Sequence, residues 1–151
     1  MARSDLDLAY IGGCIDSDGC ISVAKSTNRD RSASYHEAVA LGQVIPIVPY
    51  MLLERFGGTV FLRRQKIDNR RDCYIWRVCS IKANRMIVDI LPYLRIKREQ
   101  ALNCLELRRC INKSKRHHRR PARYTRQMER YHRLSKTLNR VGTPDGQSVA
   151  A

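Results

Sequence analysis

The sequence predicts a mixed α/β domain in which two pairs of strands alternate with helices. Three observations lead there. Of the 151 residues 43% are hydrophobic, enough to build a core. The apolar spacing switches repeatedly between the helical and the strand period. Glycine, proline and polar runs separate those segments. The length suits one domain with an appendage, and no run of about 18 apolar residues predicts a membrane helix.

Each element has its own signal. Ser4 followed by Asp7 resembles a capping box, and Leu8, Ile11 and Ile15 then recur at helical spacing up to Asp16–Asp18. Residues 20–26 and 35–45 are β-capable, with a polar run between them that reads as a turn or loop. Residues 50–56 predict a short helix, with Pro49 near its first turn and Gly57-Gly58 at its end. Residues 59–66 and 73–80 form a second strand pair across a charged loop. Residues 84–91 are helical until Pro92, and 98–111 are helical again, with Ala101, Leu102 and Leu105 facing inward. A last helix brings Met128, Tyr131, Leu134 and Leu138 to one face. The expected division is a core domain over 1–111, a basic helical extension over 112–140 and a disordered tail over 141–151.

Charge narrows the partner. Lys and Arg number 29 against 14 acids, a net charge of +15. Residues 112–140 hold eleven of those bases and one acid, Glu129. Such a surplus favours a polyanion, because each neutralised phosphate releases counterions. It disfavours an enzyme for a small neutral metabolite. The six cysteines fall in pairs six apart (Cys14/Cys20, Cys73/Cys79, Cys104/Cys110), with neither CxxC nor zinc-finger spacing. They are expected to be small buried or half-buried apolar residues. The start of the chain lacks the pattern of a secretory signal, so an intracellular protein is expected. Arg outnumbers Lys 22 to 7, which points towards a GC-rich bacterial or phage genome, an organelle remaining open.

The first helix carries the chemistry. LAYIGGCIDSDG places two glycines in a helix interior, each costing about 1 kcal/mol against alanine. Ala9, Gly12, Gly13 and Asp16 share one face, and a strip of small residues lets a second helix approach closely. With no second such helix in the chain, the partner expected there is another copy, packed across a two-fold. The helix then ends in Asp16 and Asp18 at its negative pole, an unfavourable place for carboxylates. A divalent cation would relieve the repulsion, and hard oxygen ligands suit Mg²⁺. On its own, an Asp-x-Asp-Gly segment more often marks a polar helix end and turn.

The whole segment resembles the LAGLIDADG motif of homing endonucleases: Leu8, Ala9, Gly13, Ile15, Asp16, Asp18 and Gly19 fit the usual pattern, with Gly12 a small-residue variant. LLERFGG at 52–58 and LPYLRIKREQA at 91–101 also look like family segments. The resemblance implies an αββαββα fold with a saddle-shaped antiparallel sheet over the DNA major groove, here followed by a basic C-terminal helix. One copy of the motif implies a homodimer. The implied activity is metal-dependent hydrolysis of both strands across the minor groove of a long, roughly palindromic duplex, leaving short 3′ overhangs. Asp18 would hold the metal beside the backbone carbonyl of Ser17, and Lys97 would be the basic active-site residue. Mg²⁺ is the implied cofactor, with Mn²⁺ as substitute and Ca²⁺ binding without cleavage. Many relatives carry a polar residue after the second strand, where this chain reads Ile45-Pro46-Ile47-Val48-Pro49. That departure leaves a second reading: a non-cleaving relative, acting as a DNA-binding regulator or as a maturase on intron RNA.

Base readout on a sheet uses alternate side chains. The expected DNA-facing set is Ser22, Ala24 and Ser26, then Glu37, Val39, Leu41 and Gln43, then Thr59, Phe61, Arg63 and Gln65, with Ile75, Arg77 and Cys73. Tyr74, Trp76 and Val78 are expected to face the core, with Val60 and Leu62. Arg29, Arg31 and Arg70 in the loops would reach the flanks, and Arg116, Arg119 and Arg120 would follow phosphates.

Overall fold

The computed structural model describes residues 3–28, 31–64 and 71–140, without the side chains of residues 3, 4, 28, 31 and 32. Helix α1 (Arg3–Asp18) leads directly into a hairpin of β1 (Gly19–Asn28) and β2 (Arg31–Gln43). Helix α2 (Ile47–Phe56) connects to a second hairpin of β3 (Thr59–Arg63) and β4 (Cys73–Cys79). Helix α3 (Ser80–Ile90), a 3-10 turn (Leu91–Tyr93), α4 (Arg98–Ser114) and α5 (Ala122–Leu138) complete the order. The predicted helix–strand order is therefore the observed one. Boundaries move where tertiary packing decides: α2 begins three residues before Tyr50, and α3 begins immediately after β4. The tail at 141–151 and the side chain of Ser4 lie outside the described residues.

The sheet runs β1-β2-β4-β3 and is antiparallel throughout. The two hairpins join through the central pair, where Leu41 opposes Trp76 and Val39 opposes Val78. Period-2 alternation then sorts the two faces. Ile21, Val23, Val39, Leu41, Trp76 and Val78 are buried on the helix-covered face. Ile11 and Ile15 of α1, Leu52 of α2, Met86 and Ile87 of α3, and Leu107 of α4 pack against it. Burying that apolar face is the dominant favourable term in folding.

Two glycines are required by geometry at the α2–β3 turn. Gly58 has φ 96°, and a Cβ there would lie 2.3 Å from the carbonyl oxygen of Arg77. Gly57, at φ 70°, accepts a hydrogen bond from Trp76 Nε1 through its carbonyl at 2.9 Å. The turn thereby pins the largest core side chain.

The predicted division at residue 111 falls inside α4. Helix α5 packs on the body, with Met128 fully buried in the same core. It also covers the outer edge of β1. Ser135 Oγ accepts the N–H of Val23 at 2.9 Å, His132 Nδ1 meets the Val23 carbonyl at 2.8 Å, and Asn139 Nδ2 donates to the Ile21 carbonyl at 2.9 Å. Side chains thus satisfy backbone groups that an edge strand leaves open. Leu134, expected on the packed face, is 46% exposed, and Ser135 takes the buried place.

Candidate active site and DNA interface

The site forms where α1 ends and β1 begins. Gly19 is needed at that junction, since a Cβ would approach the Ile15 carbonyl oxygen to 2.7 Å. The Asp18 carboxylate is exposed there, and Gln43, the last residue of β2, donates its amide Nε2 to Asp18 Oδ2 at 3.1 Å. Sequence alternation put Gln43 among the DNA-facing residues. The end of the strand instead turns its amide onto the carboxylate.

Asp16 departs from its expected place in a dimer interface. The residue is 8% exposed, and its carboxylate points into its own chain. Oδ2 accepts backbone N–H groups from Arg95 at 2.6 Å and Ile96 at 3.1 Å, and Oδ1 accepts that of Lys97 at 2.9 Å. Burial opposes ionisation, but these three donors and the Lys97 charge outweigh it and hold the carboxyl below the usual range. The repulsion inferred for two acids at the helix end therefore falls on Asp18 alone.

Lys97 comes to the same end of α1. The segment before α4 folds back on α1, and Lys97 Nζ donates to the main-chain carbonyl of Asp16. A cation at a helix C-terminus is electrostatically favourable. The last turn of α1 thus carries Asp18, the Ser17 carbonyl and the Lys97 ammonium together. Among the described residues, no group of three or more His, Cys, Asp or Glu side chains could hold a metal within one chain.

The predicted small-residue strip divides. A Cβ on Gly12 would meet Tyr93 Cβ at 2.8 Å, so this glycine serves a close contact inside the chain. Gly13 has nothing within 4 Å of the same position. Ala9 is half-buried beside it. The exposed face of α1 is Leu6, Tyr10, Gly13 and Ser17, at helical spacing, with Leu6 57% and Tyr10 56% exposed.

On the open sheet face, Ser22, Ser26, Phe61, Arg63 and Arg77 stand as expected. Ile75 shares that face but is 7% exposed, laid over Gly42. The strand β2 has the opposite phase to the one expected. Glu37, Val39 and Leu41 face the helices, while Ser34, His36, Ala38, Ala40 and Gly42 line the open face. Glu37 is fully buried and takes a two-pronged ion pair from Arg108 of α4, with Arg108 Nε at 2.7 Å from Oε1. Cys20 is also exposed, not buried as expected, while Cys104 and Cys110 are buried. Leu62, expected inward, is 42% exposed on the outer strand. Arg116, Arg119 and Arg120 are exposed between α4 and α5. Arg29, Gln65 and Arg70 lie outside the described residues, as does the side chain of Arg31.

This arrangement, an αββαββα body with an acid-bearing helix end at a four-stranded sheet, is the fold of LAGLIDADG homing endonucleases. The homing endonuclease I-CvuI, in complex with the I-CreI target in 2 mM Mg with the DNA not cleaved, is 17% identical; the match covers 98% of this chain and 88% of that one, with a TM-score of 0.73. The archaeal intron-encoded homing endonuclease I-Vdi141I complexed with DNA is also 17% identical, over 96% of this chain and 91% of that one, with a TM-score of 0.73. The LAGLIDADG homing endonuclease I-GzeII in complex with its DNA target matches at 12% identity over 83% of this chain and 43% of that one, with a TM-score of 0.65. No family model matches the sequence, and no curated protein does. No helix among the described residues is long and apolar enough to cross a membrane.

Proposed function

We propose that the chain is a divalent-metal-dependent DNA endonuclease, working as a homodimer on a long, roughly palindromic duplex. The observation that carries this reading is the last turn of α1: an exposed Asp18 carboxylate, bonded to Gln43, beside a lysine held at the helix terminus. Similarity of fold to homing endonucleases solved on DNA supports the same reading.

The residues fit a hard cation. Asp18 and the Ser17 carbonyl offer oxygen donors, and a second copy across a two-fold would supply the matching pair. The exposed Leu6, Tyr10 and Gly13 face of α1 is the surface for that second copy. The metal, Mg²⁺ or Mn²⁺, would polarise the phosphate and lower the pKa of bound water. Gln43 orients the Asp18 carboxylate through its amide donor. Lys97 places positive charge where the pentavalent phosphate accumulates negative charge. Asp16 acts through Lys97 by fixing the segment that carries it.

The apolar stretch expected to weaken cleavage, with Val44, Ile45 and Ile47 47%, 63% and 71% exposed, begins only after β2 has ended. The strand's last residue, Gln43, already places an amide on Asp18, so the non-cleaving alternative, a DNA-binding regulator or a maturase on intron RNA, gains no support from that stretch.

Incubation of wild type and Asp18→Asn with a randomised duplex library, with and without Mg²⁺, separates the readings. Metal-dependent cutting of one two-fold sequence by the wild type alone supports the endonuclease. Selection of such a sequence without cutting supports the regulator. Cutting by Asp18→Asn at the wild-type rate sinks the assignment.

A further inference from the structure

Resting on the DNA-binding reading, we infer that sequence choice by the sheet is uneven: Arg63 and Arg77 of the β3–β4 hairpin carry it, while the described residues of the β1–β2 open face read little. The register makes the contrast visible. Across the open face beside the candidate site, one row of neighbouring residues is Cys20, Ala40, Arg77 and Thr59. Only Arg77 in that row extends far from the backbone. The next row outward is Ser22, Ala38 and Cys79, all short. On the other side of Arg77 come Gly42, Ile75 and Phe61, and then Cys73 with Arg63.

Side-chain length decides what each half can do. A guanidinium presents a fork that matches the O6 and N7 edge of guanine, the commonest base-specific contact in the major groove. Arg63 and Arg77 are both exposed, and no ion pair holds either among the described residues. Alanine and glycine at 38, 40 and 42 end at or before Cβ and have no polar group to offer a base edge. His36, opposite Ala24, is the one longer side chain on the β1–β2 part of that face among the described residues. It offers single bonds rather than a fork.

Spacing makes the inference quantitative. Arg63 lies opposite Cys73, four residues along β4 from Arg77, which is about 13 Å at strand rise. Along a duplex at about 3.4 Å per base pair, that separation is about four steps. Each half-site should therefore hold two guanine-requiring positions about four base pairs apart, beside a stretch of weak preference.

The test is equilibrium selection from randomised duplex in Ca²⁺ by the full chain, wild type against Arg63→Ala, Arg77→Ala and Arg77→Lys. The expected result is two strict positions at that separation. Arg77→Ala and Arg77→Lys should each flatten the same position by about tenfold or more, and Arg63→Ala the other. The lysine variant keeps the charge, so its loss of selectivity reports the fork and not phosphate attraction. Ala38→Gln should add a preference for adenine in the weak stretch, without removing any existing side chain. Uniformly weaker binding with an unchanged profile would make the arginines phosphate contacts and overturn the inference, while leaving a specific DNA-binding protein in place. Preference spread evenly over the half-site overturns it as well. If the wild type selects no duplex, the DNA-binding reading itself fails.

Discussion

Asp16 and Lys97 hold each other from both ends: the Asp16 carboxylate accepts the backbone N–H of Lys97, and the Lys97 ammonium donates to the Asp16 carbonyl. The acid two residues before Asp18 is thus the brace for the segment that delivers the lysine. Asp16→Asn keeps one acceptor and turns an amide towards N–H donors. Hydrogen bonds to charged groups contribute about 1.5–3 kcal/mol each. Loss of one should lower Tm by roughly 5 °C or more in a domain of this size, read by thermal unfolding. Cleavage in Mg²⁺ should fall further than DNA binding in Ca²⁺, because the lysine is released and not removed. An unchanged Tm would show that the clamp contributes little.

A second carboxylate gives a pH signature. Glu129 of α5 accepts hydrogen bonds from Lys25 Nζ at 2.8 Å and Tyr35 OH at 2.5 Å. The Lys25 bond first and the Tyr35 bond next pull its pKa from 4.5 down to about 2. A depressed carboxylate stabilises the fold above its unfolded pKa and loses that contribution as pH falls through the folded one. The stability difference between wild type and Glu129→Gln should be constant above about pH 5 and shrink between pH 4.5 and 2. Urea midpoints across that range measure it. A difference that does not shrink there would mean the ionised carboxylate adds nothing to docking of α5 on the hairpin.

The ion pair beneath the sheet should behave differently. Glu37 is fully buried and Arg108 nearly so. Removing one member strands the other, at a cost of about 3–5 kcal/mol, whereas replacing both by apolar residues is often neutral or stabilising. Arg108→Met alone should therefore unfold at much lower urea, and Glu37→Leu with Arg108→Met should recover most of the loss. Failure of the double variant to recover would mean the pair holds the sheet's register as well as its charge.

Element order was legible because apolar period and breakers agree along the chain, as at Gly57-Gly58, where φ demands glycine. The face of β2 was not. The expected outward set of Glu37, Val39, Leu41 and Gln43 has the wrong phase: Val39 and Leu41 are core residues, and Glu37 is buried beside them. The compensating charge, Arg108, lies 71 residues away. The Asp16 clamp and the cover on β1 share that difficulty: their partners are separated by 79 to 118 residues, and no local pattern marks them. The motif marks Asp18 and the segment LPYLRIKREQA marks Lys97 as candidates, and the fold brings the two to the same end of α1.

The two neighbouring glycines of α1 give the sharpest contrast. Gly12 touches Tyr93 within the chain, so Gly12→Ala must push a side chain and backbone apart and should lower Tm. Gly13 faces open space in a single chain, so Gly13→Ala should stabilise an isolated subunit by up to about 1 kcal/mol through helix propensity. If the second copy packs on that face, Gly13→Leu should separate the dimer, and sedimentation should show a smaller species than the wild type. A Gly13→Leu protein that sediments as wild-type dimer would place the interface elsewhere. A wild type that sediments as a monomer at all concentrations, and a Gly13→Ala variant that is simply more stable, would remove the need for a second copy on α1 altogether.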